Sequence, residues 1–194
     1  MKNVTNRHRE HPIKDIFINR WSPRAMTGGS ITDEELNTLF EAARWAPSSY
    51  NDQPWRFIYA KRDTKYWNSF FGILAEMNQM WCKNAAVLII VCSHKNFEHN
   101  GNFSKTYSFD AGSAWQNLAL QASEMNLVAH GMAGFDYEAA KKAVNAPNDF
   151  EIEAMIAIGR LGNKENLPEQ LQEMESPSDR KKIEEIVFEG EMKK

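Results

Sequence analysis

Arg20, Ser22 and Arg24 stand two apart, so an extended or turning backbone can aim all three side chains at one acceptor. Two guanidiniums and a hydroxyl suit a phosphate: Arg presents planar paired donors, and each charge-assisted hydrogen bond contributes roughly 1.5–3 kcal/mol. The same residues also make an ordinary solvated basic turn. Gly159-Arg160 ends a second apolar stretch, and ligands gather at strand ends in α/β sheets. A third cluster, Ala46-Pro47-Ser48-Ser49-Tyr50-Asn51-Asp52-Gln53-Pro54-Trp55, crowds hydroxyls and carboxamides among prolines that stiffen it. Asn and Gln each offer donor and acceptor edges, which suits a heterocycle of alternating donors and acceptors. The alternative there is a helix-stop turn with Asx chemistry.

Other chemistries lack their residues. The first strand is not followed by Gly-x-Gly-x-x-Gly, and there is no Gly-x-x-x-x-Gly-Lys-Ser/Thr loop and no Gly-x-Ser-x-Gly elbow. His8 and His11 are three apart with Glu10 between them, whereas the zinc protease arrangement needs four. Cys82 and Cys92 form no Cys-x-x-Cys pair and read as small buried hydrophobes, so no metal site is expected.

The elements that must position these loops follow from patterning. At 194 residues, 42% hydrophobic and 25% charged, with a net charge of −3, the chain is about one globular domain without the basic excess of a nucleic-acid binder. Its longest apolar run, Ala85 to Cys92, is too short to cross a membrane, and the first dozen residues do not read as a secretory signal. A cytoplasmic, reduced protein is expected. Residues 1–12 read as a flexible basic N-terminus, 13–162 as the domain, and 163–194 as an arm on another surface, ending in Ile183, Ile186, Val187 and Phe188.

Within the domain, Pro12–Asn19 reads as a short helix. Thr32 and Glu35 make a capping box ahead of Leu36, Leu39, Phe40 and Ala43, and Pro47 ends that helix near Trp45. Trp55–Ala60, Ala85–Cys92, Leu127–Phe135 and Ile152–Ile158 read as strands or strand with turn; Asp63–Met80, Ser108–Met125 and Tyr137–Val144 read as helices. Phe97–Ser108 reads as a loop or lid. Helices alternate with strands, so the class is mixed α and β.

Four segments in order resemble the nitroreductase family of flavoenzymes across about Ile13 to Phe188: Arg20-Trp21-Ser22-Pro23-Arg24, Pro47 to Trp55, Gly131-Met132-Ala133-Gly134-Phe135-Asp136, and Ala157-Ile158-Gly159-Arg160. The resemblance implies an α+β sandwich with a central mixed sheet, homodimeric with exchanged C-terminal arms and FMN at the interface. Arg20, Trp21, Ser22, Arg24, Gly159 and Arg160 would hold the phosphate and ring edge, while Pro47, Ser48, Ser49, Asn51 and Gln53 would reach FMN from the other subunit. His130, Gly131 and Met132 would border the reactive flavin edge. Asn78, Gln79 and Lys83 compete for a further flavin contact. The small-residue helix Ser108–Met125 would form dimer core.

The activity so implied is ping-pong transfer of hydride from NADH or NADPH through FMN to nitroaromatics, quinones or activated alkenes. Arg24 would stabilise the reduced, anionic flavin, and His130 is either a proton donor or an ordinary strand-end histidine. The alternatives are a non-catalytic flavin-binding dimer, or a relative with dehalogenating or flavin-breaking chemistry. No nucleic-acid, membrane or metal partner is implied.

Overall fold

The computed structural model describes residues 7–192, so residues 1–6 of the expected flexible N-terminus lie outside the described residues. The chain runs α1 (Asp15–Asn19), α2 (Asp33–Arg44), β1 (Trp55–Lys61), α3 (Trp67–Phe71), α4 (Glu76–Cys82), β2 (Val87–His94), α5 (Tyr107–Glu124), β3 (Leu127–Met132), α6 (Tyr137–Ala143), β4 (Phe150–Arg160) and α7 (Glu169–Gln172). Its four strands form one sheet in the order β1-β2-β4-β3.

β2 explains the layering. Its side chains alternate between faces, as strand geometry requires: Leu88, Ile90 and Cys92 enter one core, and Val87, Ile89 and Val91 enter the other. A strand buried on both faces needs a continuous apolar run, and β2 has one. Phe70, Trp81, Ala140 and Leu171 from α3, α4, α6 and α7 cover the first face. Leu36, Leu39 and Ala43 of α2 cover the second together with Ala111, Ala114, Leu118 and Ala122 of α5. The Thr32 capping box forms as expected: the Glu35 N–H donates to Thr32 Oγ1, and Glu35 accepts from the Thr32 N–H.

The α+β class holds, but the sheet is antiparallel at every described ladder, not mixed. The crossover through α5 does leave β2 and β3 parallel, as a strand–helix–strand unit should. β4 then inserts between them, antiparallel to both.

Three element expectations need correction. Asp63–Met80 is two short helices, because Leu74 bridges Phe135 and the Ala75 N–H donates to Gly134 O, which pulls the connecting residues out of helical pairing. The alanines Ala111, Ala114, Ala119 and Ala122 of α5 point inward at their own sheet and α2; Ser108, Phe109, Gly112, Gln116 and Glu124 are what it exposes. The tail is not wholly an arm: Leu167 and Leu171 bury in the chain's own core, and Glu175 is buried as well, so only the segment beyond it extends outward with Ile183, Ile186 and Val187 exposed.

Candidate functional site

The segment after α1 docks on the end of β4 as an extra, irregular strand. Met26 bridges Leu161, the Thr27 N–H donates to Arg160 O (3.0 Å), and the Gly162 N–H donates to Ala25 O (2.9 Å). This approach is close enough to dictate the glycines beneath it. A Cβ at Gly162 would lie 2.8 Å from the Met26 carbonyl carbon, and one at Gly159 would lie 2.7 Å from Met26 Sδ. Packing against Met26 therefore requires glycine at 159.

The docked segment presents Arg20, Ser22 and Arg24 together. Arg20 Nη1 donates to Ser22 Oγ (3.2 Å), which ties the first guanidinium to the hydroxyl. His130, on β3, anchors the same segment: its Nδ1 lies 3.0 Å from Pro23 O, and since a carbonyl only accepts, Nδ1 carries the proton. The imidazole also packs on Trp81, with ring centroids 4.6 Å apart. Burial draws the His130 pKa below its usual value against the pull of the Pro23 bond, with Arg24 and Arg20 adding to the depression. A neutral imidazole committed to a carbonyl is an anchor.

Glu175 completes this lattice, and the sequence reading missed it. Its carboxylate accepts from the Arg24 N–H (2.8 Å) and the Ala25 N–H (2.8 Å), and it stands 3.8 Å from the Arg24 guanidinium. The available signal was a spacing of four: Leu167, Leu171 and Glu175 recur at that interval and all three are buried, although only Leu171 lies within α7.

The tail contributes Arg180 as well. Burial and the proximity of Arg180 together hold Arg20 below its ordinary pKa, and among the described residues Arg20 has no carboxylate within salt-bridge distance. A guanidinium bonded to a hydroxyl and without a neutralising carboxylate, with a second cation opposing its charge, is a candidate site for an anion. In the sequence, Arg180 is hidden within the charged run Asp179-Arg180-Lys181-Lys182.

Arg160 is not in this cluster. Its Nη2 donates to both oxygens of Glu35 (2.9 and 2.8 Å), and its Nε donates to Ser30 O (2.9 Å). The guanidinium thus binds the start of α2 to the strand end, with its Nε and Nη2 donors committed there. Met132 is likewise turned into the core, with its Sδ 3.5 Å from Cys82 Sγ. Gly131 is exposed beside Trp115, and Trp21 lines a cleft of about 160 Å3 with Pro23 and Leu161. Asn78 and Gln79 spend their amide N–H groups on Gly134 O and Leu74 O, while Lys83 is exposed at the end of α4.

The loop from Pro47 to Gln53 lies elsewhere. The Ser49 N–H donates to Asp110 Oδ2 (3.1 Å) in the first turn of α5, whereas Trp21 and Pro23 share a cleft with Ser123 in its last turn. An 18-residue helix is about 27 Å long at ~1.5 Å per residue, so the two polar loops sit towards opposite ends of it. Ser48 Oγ accepts from the Gln53 N–H (3.0 Å), and Gln53 Nε2 donates to Asn51 O (2.9 Å). Tyr50, Asn51 and Gln53 all have positive φ, at 54°, 56° and 51°. Tyr50 and Asn51 point outward, Tyr50 being 81% exposed.

Comparison with known proteins identifies the family. The sequence profile of the nitroreductase family matches residues 18–80 and 60–160. A crystal structure described as an oxidoreductase containing FMN superposes with a TM-score of 0.93 at 43% identity, covering 100% of this chain and 99% of its own. Protein DrgA of Synechocystis sp. is 30% identical over 162 residues, 67% of this chain and 74% of that protein. An oxygen-insensitive NADPH nitroreductase of Helicobacter acinonychis is 36% identical over 77 residues, 38% of this chain and 35% of its own length. With its profile match spanning most of the sheet and both polar loops, the chain belongs to the nitroreductase family.

Proposed function

We propose that the protein is an FMN-dependent oxidoreductase that takes hydride from NADH or NADPH and passes electrons to nitroaromatics, quinones or activated alkenes in alternating half-reactions. The observation that carries this reading is Arg20, bonded to Ser22 on a segment locked to the sheet and with no carboxylate within salt-bridge distance among the described residues. A phosphate fits that donor set. The likeness to an FMN-containing oxidoreductase over the full chain supports the flavin, and the Helicobacter relative supports a nicotinamide donor.

Bound FMN would supply the hydride and electron chemistry. The chain's own residues hold and orient. Arg20, Arg180 and Ser22 bind the phosphate. Arg24 offers a half-buried cation for developing negative charge, and Glu175 fixes its backbone while tempering that charge. His130 keeps Pro23, and so the whole segment, in register. His130 is not assigned a proton transfer, because its Nδ1 proton is committed and burial favours the neutral ring.

Residues Pro47, Ser48, Ser49, Asn51 and Gln53 complete the site from a second copy of the chain. Their loop lies towards the far end of α5 from Arg20 yet is held in shape with its tip exposed. The surface beside it is apolar for a monomer: Phe109 is 77% exposed and Trp45 72%. The outward end of the tail, with Ile186 and Val187, would lie on the partner. Among the described residues no helix is long and apolar enough to cross a membrane.

The test is a visible spectrum of the purified protein followed by anaerobic NADH or NADPH. A flavin band that bleaches, with FMN released on denaturation, is expected. A colourless protein that takes up no added FMN overturns the reading, and a bound flavin that neither nicotinamide reduces overturns its enzymatic part. Light scattering at twice the chain mass is expected alongside.

A further inference from the structure

We propose that Arg7, outside the Arg-x-Ser-x-Arg segment, is a third guanidinium of the phosphate site and selects flavin that carries a phosphate over flavin that does not. The proposal rests on the FMN reading above and deepens it.

Arg7 is fastened to the segment that presents the site. Its Nη1 donates to Ile18 O (2.9 Å) and to Arg20 O (2.9 Å), so the N-terminal residues fold back over the end of α1 and bring a cation to the backbone of Arg20 itself. Those two bonds occupy one nitrogen. Arg7 Nε is buried without a hydrogen-bond partner, and among the described residues no carboxylate lies within salt-bridge distance of Arg7. The charge is therefore unmet within the chain, and Nη2, which makes no bond there, is the donor left for an anion.

The surroundings define the sign of that acceptor. Residues 7–18 and 179–183 wall a cleft of about 400 Å3, which Arg7 and Arg180 both line. Five Arg and Lys side chains line it against two carboxylates, Glu10 and Asp179. Each carboxylate already accepts from a backbone N–H, that of Ile183 (3.1 Å) and that of Arg180 (2.9 Å) respectively. Burial, then Arg180 and Arg20, hold Arg7 below its ordinary pKa, and Asp179 only partly offsets them. Cations that repel one another in a half-buried cleft are relieved by a multiply charged anion. A phosphate monoester has the charge, and its oxygens can serve several forks at once.

That chemistry has two sources in this reaction, the phosphate of FMN and the 2′-phosphate of NADPH. The bond from Arg7 to the carbonyl of Arg20 ties it to the FMN phosphate. The test titrates apoprotein with FMN and with riboflavin, following flavin fluorescence, for the wild type, Arg7→Gln and Arg7→Lys. Losing one charge-assisted contact should weaken FMN binding about tenfold or more in Arg7→Gln. Riboflavin binding should be unchanged, and Arg7→Lys should recover part of the loss. FMN affinity should also depend less steeply on salt in Arg7→Gln.

Equal weakening toward both flavins would reduce Arg7 to a structural tether and overturn the proposal, as would no change toward either. A loss confined to NADPH relative to NADH would also overturn it, by moving the contact to the nicotinamide. Wild-type protein that binds neither flavin would overturn the FMN reading itself. Thermal unfolding of each ligand-free variant separates these results from loss of fold.

Discussion

The two polar loops are built in contrasting ways. The segment from Arg20 to Thr27 spends its backbone groups on internal partners: Arg160 O, Gly162 N–H, the Glu175 carboxylate and the His130 ring all hold it. The loop from Pro47 to Gln53 ties its backbone mainly to its own neighbours, with Asp110 as its distant partner, and it concentrates backbone strain. Three of its residues sit in the left-handed region, where each non-glycine residue costs of order 1–3 kcal/mol. One loop is prearranged by its own chain; the other is a shaped, outward-facing edge, which in the proposed dimer would meet its ligand on the partner. A phosphate pocket needs fixed cations, because charge complementarity falls off quickly with misplacement. A loop that completes a neighbour's site needs only to keep its shape and stay exposed.

The contrast predicts opposite responses to substitution. The largest effect is expected from Glu175→Ala, which strands two buried amide N–H groups and leaves Arg24 without its carboxylate. A loss of about 3 kcal/mol, measured by chemical denaturation, is expected together with weaker FMN retention. An unfolding midpoint within error of the wild type would show that the first loop is not held from the tail.

Next is Gly162→Ala. The added methyl meets Met26 backbone rather than a flexible side chain, so about 1–3 kcal/mol should be lost as the segment is pushed off β4. Gly159→Ala should cost less, since Met26 Sδ is able to swing aside.

A smaller effect belongs to acid. The folded-state pKa of His130 lies below its unfolded value, so the unfolded chain binds the extra proton first. The stability this group contributes is present above the unfolded pKa and declines as pH falls through the folded one. His130→Asn should flatten that part of the stability profile, in denaturation curves taken between pH 7 and pH 5; an unchanged slope would separate the histidine from the loop.

The smallest change, of opposite tendency, is expected at Tyr50→Asn. Asn tolerates positive φ better than an aromatic residue, so relief of strain should offset lost contacts with Phe97 and His99, leaving stability within about 1 kcal/mol of wild type. A large destabilisation there would erase the difference between the two loops.

Much of this was legible in advance. The capping box at Thr32, the buried run that became β2 and the apolar face of α2 follow from local rules, and each appears where the pattern places it. The Arg20, Ser22 and Arg24 grouping was visible because all three residues lie on one stretch of chain. Arg160 is harder to read for a related reason: a guanidinium at a strand end looks the same in sequence whether it meets a ligand or Glu35. Gly159 was visible as a glycine, but the reason for it, the Met26 thioether, lies on a distant segment.

What the sequence alone determined is therefore what short-range chemistry controls: helices and strands, the two polar loops, and the family, whose motifs are contiguous. Tertiary structure decided which charges neutralise one another. Glu175 and Arg180 stand about 150 residues from the segment they serve, and no local pattern marks a partner across such a gap. Electrostatic and hydrogen-bond partners are chosen by distance in space. That distance was set by the burial of Leu167 and Leu171, which brings the tail back to Arg24, and by the insertion of β4 between β2 and β3, which offers the first loop a strand end on which to dock.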